Sequence, residues 1–500
     1  MVEGPDVGPC HDGDMSSPSD GVRTVEDLLA DRLRQLGVRR TYGLEIRGLA
    51  HVPVADPDLA VLLADADGRL GHHDGSGRLG AATLAGPILH LSSAPGGTAA
   101  LQSVGSVEEL VEALADPPGL AIPGTTAVHL DLDLSEPVPD VPVPETGSER
   151  TPVLLLDRSL AGLRILVLAG PGVVRTYSQV GLRNMSRAAG APILATFGAI
   201  GLERWDSPYH AGIGGLQSDD LALGGLYDVD LVIATGLDPA ELPADRLSQL
   251  VVQEVSPRQL GVLLKDWPAQ GPEPSGRPSV RAALAPVLDR LRALDSSPLS
   301  AARASLHLTG ALPDRGVVVA DPGPAGFWVA RSAPTAFPGA VCVPATAEPG
   351  FAAAAAFVAV LDERPCLAVT DDDGAAEEMT RAVLDLASTL GVGVGLQVWG
   401  PDGASMTAAE HVGLLSELLD GAGGPATGPV AGPAAGGPAV GSAVARSDRT
   451  MSDRRGSGHI VTGHRGPGRG GIARVIPVGV DLSVPDELVE LAGPVTAWVR

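Results

Sequence analysis

Aromatic side chains are scarce in this chain, only 3% of its 500 residues, so any core must be assembled from alanine, valine and leucine. Two other residue types are nearly missing: Lys265 is the only lysine and Asn184 the only asparagine. The lysine precedes Asp266-Trp267-Pro268 rather than closing a glycine-rich loop, which excludes a P-loop nucleotidase, whose phosphate-binding lysine has no candidate. Positive charge is short as well. Thirty-five Lys and Arg against 60 Asp and Glu leave a formal charge of −25 and a pI near 4.7. That balance argues against nucleic-acid binding, which needs a basic footprint, and against an anionic membrane surface. Cys10, Cys342 and Cys366 have neither metal nor redox spacing, and an odd number of cysteines suits a reducing cytoplasm. The start of the chain lacks the basic-then-apolar order of a signal peptide. No apolar run is long enough for a membrane span; 351–360 reads as a buried alanine-rich helix. The expected setting is cytoplasmic.

What is present alternates between strand and helix patterns. Residues 1–20 are rich in Gly, Pro, Ser and Asp and read as a disordered tail. From Thr24, a plausible N-cap, Val25, Leu28, Leu29, Leu33 and Leu36 share a helical face. Strands are expected at 59–63, 87–91 and 127–132, with a helix at 106–115 between the last two. The first region is 21–150, including a Pro-rich linker over 136–152. A second region, 151–300, opens with a buried strand running into Gly170-Pro171-Gly172, then a helix at 176–189, strands at 191–196 and 229–236, and a helix at 280–294. A third, 301–420, repeats the alternation: strand 316–320, helix 350–361, strand 366–370, helix 375–390, strand 392–398. Residues 421–471 collapse into Gly, Ala, Pro, Ser and Arg and read as disordered. A small ordered piece, 472–500, carries a strand at 475–480 and a helix at 485–492. The fold class expected is α/β, three consecutive doubly wound parallel-sheet domains.

The stretch most suggestive of chemistry is Cys366-Leu-Ala-Val-Thr-Asp-Asp-Asp-Gly374, an apolar strand stopping at three carboxylates and a glycine. Ligands of open α/β sheets sit at the carboxyl ends of strands, and aspartates are hard donors of the kind Mg²⁺ prefers. A solvated acidic loop capping the next helix is the competing reading. Gly71-His-His-Asp-Gly75 shows no third metal ligand at a workable spacing and reads as a polar turn. Ser92 and His90 lack a nucleophile-elbow context.

Three α/β regions in this order resemble the thiamine-diphosphate-dependent enzymes of the acetolactate synthase and 2-oxo-acid decarboxylase type, over most of 24–400. The regions then correspond to pyrimidine-binding-like, central and diphosphate-binding-like domains. Leu168-Ala-Gly-Pro-Gly172, Ala188-Ala-Gly-Ala-Pro-Ile-Leu-Ala-Thr196, Gly212-Ile-Gly-Gly215 and Asp230-Leu-Val-Ile-Ala-Thr-Gly236 look like the central domain. Some relatives bind FAD or a nucleotide there, and a lone glycine turn is weak support for it. Val319-Ala-Asp-Pro-Gly-Pro-Ala-Gly-Phe-Trp328 is similar to the family's Asp-x-Gly-x-His-x-x-Trp segment; Asp321, Gly323 and Trp328 fit, while Ala325 replaces a polar diphosphate contact. Ala347-Glu-Pro-Gly350 with its alanine-rich helix resembles the loop under the thiazolium ring, with Pro349 in place of a bulky apolar residue.

The resemblance implies thiamine diphosphate and Mg²⁺ as cofactors, with Asp321, Gly323, Gly350 and Gly374 at the cofactor and Asp372 or Asp373 on the metal. It also exposes departures. The family's Asn-Asn pair would fall near Trp399-Gly400, where no asparagine exists, and its activating glutamate has no counterpart, since no glutamate lies between Glu45 and Glu108. Asp65, Asp67 and Asp74 are the substitutes within the segment. The expectation is therefore an impaired or inactive relative. The alternatives are an active carboligase or decarboxylase acting on a 2-oxo acid, or a non-catalytic subunit completed by a partner. The family also implies a homo-oligomer, dimer or tetramer, or a partner subunit.

Overall fold

A computed structural model of the chain describes residues 23–73, 79–84, 88–92, 101–114, 125–138, 162–263, 274, 276–335, 337, 339–346, 348–421 and 473–498. It holds three open sheets in sequence. The first region runs α1 (Val25–Gln35), β1 (Arg40–Gly43), β2 (Ala50–Pro53), α2 (Pro57–His73), β3 (Gly80–Leu84), β4 (Ile88–Ser92), β5 (Leu101–Val104), α3 (Val107–Ala113) and β6 (Thr125–Leu130). The second runs β7 (Ile165–Ala169), α4 (Gly172–Arg175), α5 (Gln179–Ala189), β8 (Ile193–Thr196), β9 (His210–Gly214), α6 (Asp220–Leu223), β10 (Leu231–Thr235), β11 (Val252–Glu254), α7 (Leu260–Leu263) and α8 (Val280–Ala293). The third begins β12 (Leu299–Ser300), α9 (Ala301–Ala311), β13 (Val317–Ala320), α10 (Pro324–Ser332), β14 (Val341–Cys342) and α11 (Phe351–Leu361). It continues β15 (Cys366–Asp371), α12 (Asp372–Ala376), α13 (Glu378–Leu390), β16 (Gly395–Gly400), α14 (Ala408–Gly421), β17 (Arg474–Asp481) and α15 (Asp486–Ala492).

The second and third sheets are parallel throughout, ordered β11-β10-β7-β8-β9 and β12-β17-β16-β15-β13-β14. The first, β2-β1-β3-β4-β6-β5, is mixed, because β4 runs antiparallel to both of its neighbours. β3 and β4 are joined by too short a connection for a crossover, which a parallel pair would require. The C-terminal piece enters the third sheet between β16 and β12 rather than lying at its edge.

One expected strand is a helix. The apolar run 59–63 lies inside α2, where Asp56 Oδ1 accepts the amides of Asp58 (2.9 Å) and Leu59 (3.3 Å) and Pro57 takes the first helical position. Short apolar runs fit either element by periodicity, and the Asp-Pro start decides. The expected helix 375–390 is likewise two, α12 and α13, breaking at Glu377 with ψ 143°. Gly71, His72 and His73, expected in a polar turn, are the last residues of α2, while Asp74, Gly75, Lys265 and the segments 1–20, 139–152 and 422–471 lie outside the described residues.

Alanine makes the core work with few aromatics. Residues 351–359 of α11 are all buried, and small side chains let α2 approach on one side and β13 and β15 on the other. The central and third regions share a second core, which includes Trp328 and Val480 with Leu216 and Leu284. Within it Arg331 Nη2 reaches both carboxylate oxygens of Asp220 at 2.7 Å, and Asp220 Oδ2 also accepts the amides of Leu216 and Gln217 at 2.8 Å. No helix among the described residues is long and apolar enough to cross a membrane. Removing one partner of such a fully buried pair strands the other, so Asp220→Ala is expected to destabilise the protein by about 3–5 kcal/mol in urea unfolding; a loss under about 1 kcal/mol would mean that the pair carries little.

Candidate cofactor site

The carboxyl ends of β13, β15 and β16 lie side by side, with Ala320 opposite Val369 and Asp371 opposite Trp399. This edge gathers Asp321, Gly323, Asp371, Asp372, Gly374 and Gly400, at the position where a sheet of this kind receives ligands. Asp321 follows β13 and is 4% exposed. Its Oδ1 accepts the Ala352 amide at 2.7 Å, capping α11, whose own N-cap, Gly350, has no side chain to do so. Burial pushes this carboxyl up to about 6; Thr370 and the Ala352 amide favour its ionised form, while Asp371 and Glu377 oppose it.

Asp371 is the N-cap of α12, accepting the Gly374 amide on Oδ1 at 2.9 Å. Its Oδ2 lies 2.9 Å from where a β-carbon on residue 323 would stand, and with φ at +146° that position suits glycine alone. The Asp372 carboxylate lies over Gly400. Its pKa is raised, by partial burial first and then by Asp371, Asp402 and Asp373, all of them negative. Asp373 is exposed. The structure thus brings Asp321, Gly323 and Gly374 together with Asp371 and Asp372. Gly350 stands apart in role: a β-carbon there would meet the Thr380 amide nitrogen at 2.8 Å, so this glycine serves the packing of α11 on α13.

Whether these residues suit a diphosphate is decided by the amides. Backbone N–H groups at helix starts are the natural phosphate donors. At this edge the Ala352 amide is held by Asp321 and the Gly374 amide by Asp371. Ala325, where a polar contact was expected, is fully buried in α10. Asp371 and Asp372 are suitable hard donors for a divalent cation, but among the described residues no three His, Cys, Asp or Glu side chains converge as a metal cluster. Two of the helix-start amides at this edge are therefore already taken by protein carboxylates, which disfavours a diphosphate there.

Among the described residues of the first region, neither Asp65 nor Asp67 is free to replace the activating glutamate. Asp65 Oδ1 is 3.0 Å from His90 Nε2, and Asp67 Oδ2 accepts the Tyr42 hydroxyl at 2.8 Å with Arg40 at 4.0 Å. Arg40 in turn pairs with Asp362 at the end of α11. Both aspartates, read from the sequence as substitutes for the activating glutamate, are buried in pairs that lock α2 against its own sheet. In the central region the Gly170–Gly172 turn closes on Gly236. The amides of Gly170 and Gly172 donate to Thr235 O and Gly236 O (2.9 and 2.8 Å), and a β-carbon on residue 172 would stand 2.7 Å from the Gly236 Cα. These amides, too, are engaged within the protein.

Two buried acids escaped the sequence reading. Glu348 packs beside Arg69 of α2, its Oε1 3.7 Å from the guanidinium, and Glu241 lies against Gly198 near Arg175. Glu348 lies within the Ala347-Glu-Pro-Gly350 loop and Glu241 in no motif, and the arginines beside them come from distant segments, so no local signal marks their role. Asp371 did carry one: an aspartate ending a strand with glycine three residues on is an N-cap pattern.

No family model matches the sequence, and no curated protein matches it either. Solved structures do. A protein described as a thiamin diphosphate-dependent enzyme from Mycobacterium smegmatis superposes with a TM-score of 0.57 at 13% identity, over 80% of this chain and 97% of that one. Benzoylformate decarboxylase from Polynucleobacter necessarius gives 0.55 at 12% identity, with the same coverages of 80% and 97%. At such identity the likeness is one of fold, and sites must be argued from residues. The three sheets in their order are the fold of the thiamine-diphosphate-dependent enzymes, and this chain has it.

Proposed function

We propose that this chain is a relative of the carboligases and 2-oxo-acid decarboxylases whose cofactor site has been turned into a closed, acidic sheet edge, leaving it inactive or severely impaired. The observation that carries this reading is the pairing of Ala352 N–H with Asp321 and Gly374 N–H with Asp371, which turns phosphate donors inward. Three features support it. The charges acting on Asp372 are all negative, so an anionic diphosphate would meet repulsion unless a cation came with it. The asparagine that would complete a metal site does not exist in that part of the chain. Activation of the cofactor requires an acid within hydrogen-bond reach of the aminopyrimidine, and Asp65 and Asp67 are engaged elsewhere.

The direct test is carbon dioxide release from a panel of 2-oxo acids, pyruvate and benzoylformate included, with millimolar thiamine diphosphate and Mg²⁺. No release above the enzyme-free rate is expected. Sustained turnover on the order of 1 s⁻¹ or faster, ordinary for an enzyme, would overturn the proposal.

A second prediction concerns Asp321. Its carboxyl is held near 6 in the fold against an ordinary value of 3.8, so its contribution to stability is complete below 3.8 and is lost as pH rises through about 6. Asp321→Asn cannot ionise but still offers an oxygen to Ala352. Between pH 4 and pH 7 the variant's stability relative to the parent should therefore rise, by on the order of 2–3 kcal/mol. A difference that does not change with pH would mean Asp321 is not held protonated.

A further inference from the structure

Two histidines of the third region meet although neither belongs to its acidic edge. His307 of α9 and His411 of α14 are 104 positions apart in sequence, yet their Nδ1 atoms stand 3.0 Å from each other. The ring centroids are 5.2 Å apart and the planes are tilted by 46°. His411 is fully buried and His307 half-buried. Both helices are fixed at their starts. Ser300 caps α9 by accepting the Arg303 amide at 3.2 Å, and Thr407 and Glu410 cap each other's amides (2.7 and 3.3 Å) where α14 begins.

Behind His411, two side chains of β16 decide which ring nitrogen carries the hydrogen. The Trp399 indole can only donate, and its Nε1 donates to Gln397 Oε1 at 3.1 Å. That contact fixes the Gln397 amide with its oxygen toward the pair. His411 Nε2 lies 3.1 Å from the same oxygen and must therefore donate to it. Burial keeps the His411 ring neutral, so its Nδ1 presents a lone pair to His307, which answers with its own Nδ1–H. A metal-binding histidine is prepared in this way: one ring nitrogen is tied to an oxygen of the protein, and the other is left bare and oriented.

We propose that His307 and His411 form a site for a divalent cation of the zinc type, held between their two Nδ1 atoms. Imidazole nitrogens bonded at about 2.0–2.1 Å to one tetrahedral Zn²⁺ stand roughly 3.3 Å apart, so the pair has to open by only a few tenths of an ångström. The hydrogen on His307 Nδ1 moves to Nε2 of the same ring, and both rings ligate as neutral imidazoles. Imidazole suits Zn²⁺ and Cu²⁺, whereas Mg²⁺ and Ca²⁺ take oxygen; the pair and the acidic edge therefore select different ions. Among the described residues no third His, Cys, Asp or Glu completes a cluster, so water supplies the remaining ligands, entering beside the half-buried His307. One positive charge acts on His307, that of Arg303 one turn earlier on α9. Its Nη1 is turned to the carbonyls of Arg292 and Leu294, at 3.2 and 3.3 Å.

Zinc titration of the full chain against a chromophoric chelator at neutral pH tests the site. One zinc per chain is expected with a dissociation constant on the order of 10 µM or tighter. In His307→Gln the side-chain amide can still donate to His411 Nδ1, which preserves the packing, but it offers the metal no ring nitrogen; affinity should fall at least tenfold. Anomalous scattering from a zinc-loaded crystal of the unmodified chain reads the position without any variant, and a peak between the two Nδ1 atoms is expected. Binding only at higher zinc concentrations would overturn the proposal. So would a smaller loss in His307→Gln, or an anomalous peak found only elsewhere on the chain.

Discussion

The hydrogen bond from the Ala352 amide to Asp321 fixes the start of a helix buried on every side, and the third region is arranged around that helix. A helix with no polar face cannot be positioned by amphipathic packing alone. Its first turn needs an acceptor, Gly350 supplies none, and the nearest strand end does. The helix in turn packs against α2, so the first region shares a core with the third. The same bond also removes a donor from the edge where a ligand would enter.

Electrostatics extend the point. Asp321, Asp371, Asp372, Asp373 and Asp402 crowd one sheet edge, and local hydrogen bonds hold two of them. Burial is the first cause of Asp321 standing near 6 and of the upward shift of Asp372, and the neighbouring carboxylates add to both. The edge could relax by taking up protons or a cation. A diphosphate arriving alone would make the repulsion worse. The junction of the three regions meets a similar problem differently, with two arginines, Arg69 and Arg175, set among its acids.

Much of the architecture was legible in the sequence because strand and helix alternate plainly from residue 164 to 400. The buried strands 165–169, 231–235 and 366–371 are β-branched or leucine-rich and end in Ala, Thr or Asp, a pattern that local reading resolves. It failed at 59–63, where an apolar run fits either element, and at β4, whose antiparallel pairing depends on a neighbour rather than on its own residues. The candidate edge was placed correctly as a strand end, yet the side chain doing most there, Asp371, was passed over for Asp372 and Asp373. Which carboxylate turns inward is set by the N-cap geometry of a short helix, not by composition. Glu241, Glu348, Arg69 and Arg175 stayed invisible because they come together only when the three regions pack.

The central claim is that the diphosphate donors are already taken. Thermal unfolding in the presence of Mg²⁺, followed as thiamine diphosphate is raised to millimolar concentrations, asks this most directly, since a ligand at 100 times its dissociation constant stabilises the fold by about 2.7 kcal/mol. No change in the melting temperature is predicted. A saturable rise of several degrees that disappears when Mg²⁺ is withheld would contradict the claim and restore the edge as a working cofactor site.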